Sequence, residues 1–293
     1  MNLTPVASTQ PPSIEDTLDV SPTSCQQLVF CVQAPDTAKE MQPHGGRLGE
    51  AAKRFNRPRA QWLDLSTGIN PIAYPAPPVP VDCWQRLPEE QDGLEAAAAH
   101  YYQNSSLLPV AGSQAAIQTL SKLRSPCRVA IIDPGYNEHR ASWLGAGHQV
   151  AAIAAVDIER YLHQLDVLVL INPNNPGGEH FQPQQLLDWH ERLQRRGGWL
   201  VVDEAFIDST PELSLTPLGT RPGFIVLRSV GKFFGLAGIR CGFVFAESSL
   251  LRQLQSLLGP WALSGPSRFV CRQALEDTEW QTQMRTRLKS QGQ

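Results

Sequence analysis

Five apolar runs of strand length, separated by turn-forming or helical stretches, constrain this chain more than any other feature. They are "RVAIID" at 128–133, "DVLVLIN" at 166–172, "GWLVVDEAF" at 198–206, "GFIVLRS" at 223–229 and "CGFVFA" at 241–246. Each has a short, continuous apolar stretch, as a strand buried on both faces must have. Helical patterns surround them. "DGLEAAAAHYY" is one, and "SQAAIQTLSKL" is another, with Ser113 near its start. "QPQQLLDWHERLQRR" carries Pro183 in its first turn, where a missing N–H costs nothing. "SSLLRQLQSLL" and "SRFVCRQALEDTEWQTQMRTRLK" each read as one helical segment. The alternation predicts an α/β fold around a mostly parallel sheet. No internal repeat and no heptad run interrupts it.

In such sheets ligands bind beyond the carboxyl ends of the strands. Polar residues placed there are therefore the first candidates for function. Asp203 ends "WLVV" and is expected to be partly buried, where a carboxylate needs a partner. It reads equally as a structural cap or as the counter-charge of a cationic ring nitrogen. Lys232 lies in a glycine-rich loop, where most lysines are simply solvated. Held beside Phe233 and Phe234, it could instead lose its proton and attack aldehydes. "VAGSQAAI" at 110–117 offers a glycine, a serine and a helix start, either an ordinary cap or a phosphate seat. It lacks the Gly-Lys-Ser/Thr of a P-loop and the spacing of the dinucleotide fingerprint. Arg240 could add a two-pronged grip on the same anion, or merely cap its loop. Asn175, Ser229 and Tyr136 also follow strands. Taken together, these groups meet the needs of one cofactor, pyridoxal phosphate. It requires an amine, a carboxylate for the ring nitrogen, a donor for the phenolic oxygen, a ring to stack on and a phosphate cradle.

Composition narrows the partners. With 42% hydrophobic and 18% charged residues in a chain of 293, a sizeable core is affordable by area alone. A net charge of -3 gives no reason to expect nucleic acid. The six cysteines show neither a CxxC pair nor metal-ligand spacing, so no metal is expected. No run is long enough to span a membrane, and no basic-then-apolar leader opens the chain. A cytoplasmic location is the resulting expectation. Residues 1–40 are rich in Pro, Ser and Thr without period and read as disordered or as a spurious extension, with Met41 as an alternative start. "YPAPPVPVD" is a proline-rich, extended connector.

The motif series resembles that of the fold-type I pyridoxal-phosphate enzymes, in the histidinol-phosphate aminotransferase-like branch and nearest the threonine-phosphate decarboxylases of cobalamin biosynthesis. It runs through "HGG" at 44–46, "DLSTGINP" at 64–71, "AGSQAAI" at 111–117, "DPGYNEH" at 133–139, "NPNNPGG" at 172–178, "DEAF" at 203–206 and "RSVGKFFGLAGIRCG" at 228–242. The resemblance implies a three-layer large domain over 86–265, after an arm and substrate-side segment over 41–85. It also implies that 266–293 begin a small C-terminal domain that is cut short. Lys232 is then the lysine that condenses with the cofactor aldehyde, and Asp203 the partner of its ring nitrogen. Asn175 donates to the phenolic oxygen, Tyr136 stacks on the ring, and Gly112, Ser113, Gln114, Ser229 and Arg240 hold the phosphate. His44, Gly45 and Asn70 are implied on the substrate side. Two departures stand out. Phe206 replaces the tyrosine common in the aminotransferases, which removes one hydroxyl and favours the decarboxylase branch. The arginine that the family's small domain offers to a substrate carboxylate has no match here, since Arg285 and Arg287 belong to a helical run. The implied reaction is decarboxylation of L-threonine O-3-phosphate to (R)-1-aminopropan-2-yl phosphate and CO2, by a homodimer. The alternative is an aminotransferase acting on a phosphorylated amine such as histidinol phosphate.

Overall fold

A computed structural model of the chain describes residues 27–32 and 44–292. The expectations for Met41 and most of 1–40 lie outside those residues. Within 27–32, Cys31 exchanges both backbone hydrogen bonds with Val150 of the edge strand, at 2.8 and 2.9 Å.

The strands are β1 (Leu107–Val110), β2 (Arg128–Ile132), β3 (Gln149–Ile153), β4 (Val167–Ile171), β5 (Trp199–Asp203), β6 (Phe224–Ser229) and β7 (Gly242–Phe245). The helices are α1 (Leu48–Arg54), α2 (Asp82–Gln85), α3 (Leu94–Tyr102), α4 (Ser113–Leu120), α5 (Asn137–Gly145), α6 (Ile158–Tyr161), α7 (Pro183–Gln194), α8 (Ser248–Leu258), α9 (Gly265–Glu276) and α10 (Thr278–Gln291). The strands form one sheet in the order β1-β7-β6-β5-β4-β2-β3, with β7 antiparallel to both its neighbours and the rest parallel. All five expected strands are present. The two additional ones, β1 and β3, are edge-side strands whose sequences hold Pro109 or a run of alanines, so neither carries a strong strand signal. The single helix expected over 267–289 is two. Asp277 leaves helical geometry and its side chain accepts from the Trp280 N–H at 2.9 Å, which starts α10 afresh.

The sheet is buried on both faces, as its apolar strands require. Leu200, Val202, Phe224 and Val226 point into one core with α3, α7, α9 and α10. Val201, Ile225 and Leu227 point into the other with α4, α5 and α8. The period of two then fixes where the polar ends go. Asp203 and Ser229 continue the α4/α5 face. Arg228 continues the opposite face, where it is buried.

Candidate active site

The carboxyl ends of β2, β4, β5 and β6 open into one cavity. Strand order changes direction between β2 and β4, whose neighbours lead the chain opposite ways, so loops diverge there and leave a crevice. The cavity is lined by Gly112, Ser113, Gln114, Tyr136, Ile171, Asn175, Asp203, Ala205, Phe206, Ser229, Gly231, Lys232, Ala237 and Arg240. Every residue expected to hold the cofactor is among them.

Asp203 is 4% exposed and held at both oxygens. Oδ1 accepts from the Ala205 N–H at 3.1 Å, and Oδ2 lies 3.1 Å from His139 Nε2. An ionised carboxylate can only accept, so His139 donates through Nε2. His139 is 1% exposed, on the first turn of α5. It fixes the carboxylate in place without entering the cavity lining.

Lys232 is half-buried, and its Nζ sits 5.3 Å from the centre of the Phe206 ring. Burial pushes its ammonium below the ordinary lysine range; the Asp203 charge opposes that and Arg240 adds to it. The free amine is therefore favoured more than on an open surface. The loop carrying it is pinned from the far side by Asn70, which is buried. The Asn70 amide donates to the Phe233 carbonyl at 2.9 Å, its Oδ1 accepts from the Ile72 N–H at 3.0 Å, and its backbone N–H bonds the Lys232 carbonyl at 3.1 Å. Asn70 thus braces the lysine loop through contacts to backbone, and it is not among the residues lining the cavity.

The phosphate seat is assembled by close approach. Gly112 precedes α4 with φ of 74°, and a Cβ there would come 2.7 Å from Arg240 Nη2. Gly242 opens β7, and a Cβ there would meet the Ser113 nitrogen and the Arg228 carbonyl, both at 2.7 Å. Glycine at these two places lets a guanidinium and a helix N-terminus converge beside Ser229. Arg240 itself holds a left-handed φ of 50° and donates Nη1 to the Ala237 carbonyl at 3.2 Å. A cradle of converging donors, a buried carboxylate and a depressed amine fits pyridoxal phosphate, group for group.

Tyr136 covers the mouth, 41% exposed, with its hydroxyl donating to Gln114 Oε1 at 3.1 Å. Burial and the neighbouring Glu138 and Asp203 charges hold that phenol above its ordinary range, against Arg240. The substrate-side residues His44 and Gly45 do not line this cavity. They line a neighbouring hollow with Ser66: Gly45 packs on the Ser66 carbonyl so closely that a Cβ would reach 1.9 Å, and His44 Nε2 meets Glu138 Oε1 at 2.9 Å.

Residues 87–293 match the family model for aminotransferase class I and II. The chain belongs to that family. Among its relatives, the threonine-phosphate decarboxylase of Pseudomonas aeruginosa is 55% identical over 253 residues, covering 86% of this chain and 76% of that protein. The threonine-phosphate decarboxylase of a Sinorhizobium species is 43% identical over 239 residues, covering 80% and 71%. The crystal structure of L-threonine-O-3-phosphate decarboxylase from Porphyromonas gingivalis matches with a TM-score of 0.60 at 22% identity, over 67% of this chain. The chain spans 64% of that structure's length. Histidinol-phosphate aminotransferase from Sinorhizobium meliloti, solved with pyridoxal-5'-phosphate, matches at 0.64 and 19% identity, over 71% and 61% of the two chains. These two structures share the fold-type I architecture expected of the class I and II family.

Two side chains with no role assigned in the motif series contact residues that line the cavity. His139 and Glu138 both stand in "YNEH", directly after Tyr136, yet nothing in the letters says that one turns inward and the other toward Gln114. A helical spacing of three from Tyr136 to His139 was the available signal.

Proposed function

We propose that this chain is a pyridoxal-phosphate-dependent decarboxylase of L-threonine O-3-phosphate. The observation that carries the reading is the convergence of Lys232, Asp203, Asn175, Tyr136, Ser113, Ser229 and Arg240 on one cavity. Its substrate and reaction come from 55% identity to a threonine-phosphate decarboxylase. When bound, pyridoxal phosphate supplies an aldehyde for the substrate amine and a ring that accepts electrons as a bond at Cα breaks.

The chain's own residues do the rest. Lys232 holds or releases a proton at Nζ under the opposing influences of burial and Asp203. Asp203, fixed by His139 and Ala205, keeps a proton on the ring nitrogen through charge pairing. The Ser113 hydroxyl, the α4 N-terminus, Ser229 and Arg240 hold the phosphate. Asn175 would donate to the phenolic oxygen and Tyr136 would stack on the ring. Phe206 closes the wall next to Asn175, where an added Cβ on Gly68 would touch both, at 2.8 and 3.3 Å. With no hydroxyl at Phe206, Asn175 is left as the donor on that side. His44 and Gly45 belong to the substrate side of the same mouth, and Asn70 braces the loop behind the lysine.

The purified chain with cofactor and L-threonine O-3-phosphate is expected to release CO2 and form aminopropyl phosphate, read by phosphorus NMR. Formation of a keto product that depends on an amino acceptor would replace this reading with the aminotransferase one. The homodimer is proposed on the same footing, and so is a cytoplasmic location. Among the described residues no helix is long and apolar enough to cross a membrane.

A further inference from the structure

Glu138 has no part in the functional reading above, yet both of its carboxylate oxygens are committed. Oε1 meets His44 Nε2 at 2.9 Å, and Oε2 accepts from Gln114 Nε2 at 2.6 Å. Its side chain is only 15% exposed, while that of His44 is 42% exposed. We propose that Glu138 is a positioning residue that latches the 44–46 segment to the cofactor cradle and sets the direction of the hydrogen bonds there.

The direction follows from donor and acceptor chemistry. A carboxylate accepts only, so Glu138 draws the amide nitrogen of Gln114 toward itself. The amide oxygen is then turned to Tyr136, whose hydroxyl donates to it at 3.1 Å. One charge thereby fixes three groups in sequence: His44, Gln114 and Tyr136. Tyr136 has little packing to hold its ring, being 41% exposed, with His44 6.2 Å away and tilted and His139 edge-on at 6.2 Å. Its orientation over the cavity rests on this relay.

The latch also has an outer end. Gly46 donates its N–H to Ser66 Oγ at 2.8 Å, and Ser66 in turn bonds Asp64 through both its N–H and its hydroxyl. The segments at 44–46 and 64–66 therefore move together, and the His44 contact to Glu138 is what joins them to α5. Position two of α5 suits the carboxylate, since a helix N-terminus favours negative charge.

The proposal rests on the cofactor reading for only one of its two readouts. The first uses cofactor-free protein: the rate of trypsin cleavage after Arg47, followed by mass spectrometry. Glu138→Gln preserves shape and removes the charge. It is expected to speed that cleavage about fivefold, as losing about 1 kcal/mol from a hydrogen bond to a partly exposed charge would. In a His44→Ala background Glu138→Gln is expected to add nothing further, because the latch is already open. The second readout is pyridoxal phosphate affinity, by fluorescence titration. Glu138→Gln is expected to weaken it about fivefold in both backgrounds, since the Gln114 arm does not pass through His44. Wild-type cleavage in Glu138→Gln, or the same acceleration in the His44→Ala background as in the parent, overturns the latch. Unchanged affinity in Glu138→Gln overturns the relay to Gln114. Wild-type protein that binds no cofactor defeats the functional reading, and the cleavage arm still decides the latch.

Discussion

At residue scale the behaviour of Lys232 is set by what surrounds it. Burial and Arg240 favour the free amine, against Asp203. A lowered pKa means the neutral, nucleophilic form is reached at lower pH than for an open lysine. The initial rate of cofactor capture is accordingly expected to rise with pH and level off below the ordinary lysine range, read by absorbance in stopped flow. A rate that climbs through that range without levelling would contradict it. Gly68 offers a steric test of the opposite wall. A Cβ there would come 2.8 Å from Phe206 Cε1 and 3.3 Å from Asn175 Nδ2, and no positive φ complicates the substitution. Gly68→Ala is expected to cost about 1–3 kcal/mol of cofactor binding through displacement of those two groups, with a thermal midpoint near wild type. Unchanged affinity would show that the wall yields freely. Residue identities at strand ends were legible because few residue types can serve an amine, a carboxylate and a phosphate at once. The role of Asn70 was not legible, since the same amide suits a ligand or a backbone carbonyl. The placement of 232–234 beside it shows the amide bonding the Phe233 carbonyl.

At the scale of elements, β5 and β6 are registered by charge as well as by backbone. Asp203 lies opposite Leu227, and the next residue, Glu204, reaches Arg228 at 3.0 Å. Arg228 also meets Asp208, and its guanidinium lies 4.6 Å from the centre of the Tyr102 ring. Glu204, Asp208 and Arg228 are at most 2% exposed. Burial raises the Glu204 carboxyl despite Arg228 and the hydrogen bonds it accepts from Ser214 and Leu215. Removing one member leaves charge buried without its full set of partners. Glu204→Ala is expected to lose about 3–5 kcal/mol of stability in urea denaturation, and a loss under about 1 kcal/mol would mean the network relaxes around the gap. The paired residues are the chain neighbours of Asp203 and Ser229, which line the cavity, so the variant is also expected to loosen cofactor binding. The strands of this region were visible in sequence as unbroken apolar runs. Arg228 stands near the end of one of them. Its burial depends on Asp208 and Tyr101 arriving from elsewhere, which no local pattern announces. The break at Asp277 was likewise hidden, because helical propensity is continuous across 267–289 and one aspartate's dihedral angles decide the outcome.

At the scale of the whole molecule, the period of two along each strand sorts function from scaffold. One face carries Asp203 and Ser229 toward α4 and α5, and the other carries Arg228 into the core beneath α3 and α10. The sheet was predictable from its apolar strands, whereas β1 and β3 depended on neighbours already in place. Trp84, Leu87 and Trp261 remain 67%, 64% and 59% exposed, more apolar surface than isolated side chains need explain. Sedimentation is accordingly expected to give twice the mass of one chain, and a monomer at all concentrations would contradict the homodimer. The central claim is that the fold brings one amine, at Lys232, to a pyridoxal aldehyde seated over Asp203. Borohydride reduction of the cofactor-loaded protein followed by peptide mass mapping tests it most directly. The account predicts a single pyridoxyl adduct on Lys232 that is lost in Lys232→Ala. An adduct on another lysine, or one that survives that substitution, would contradict it.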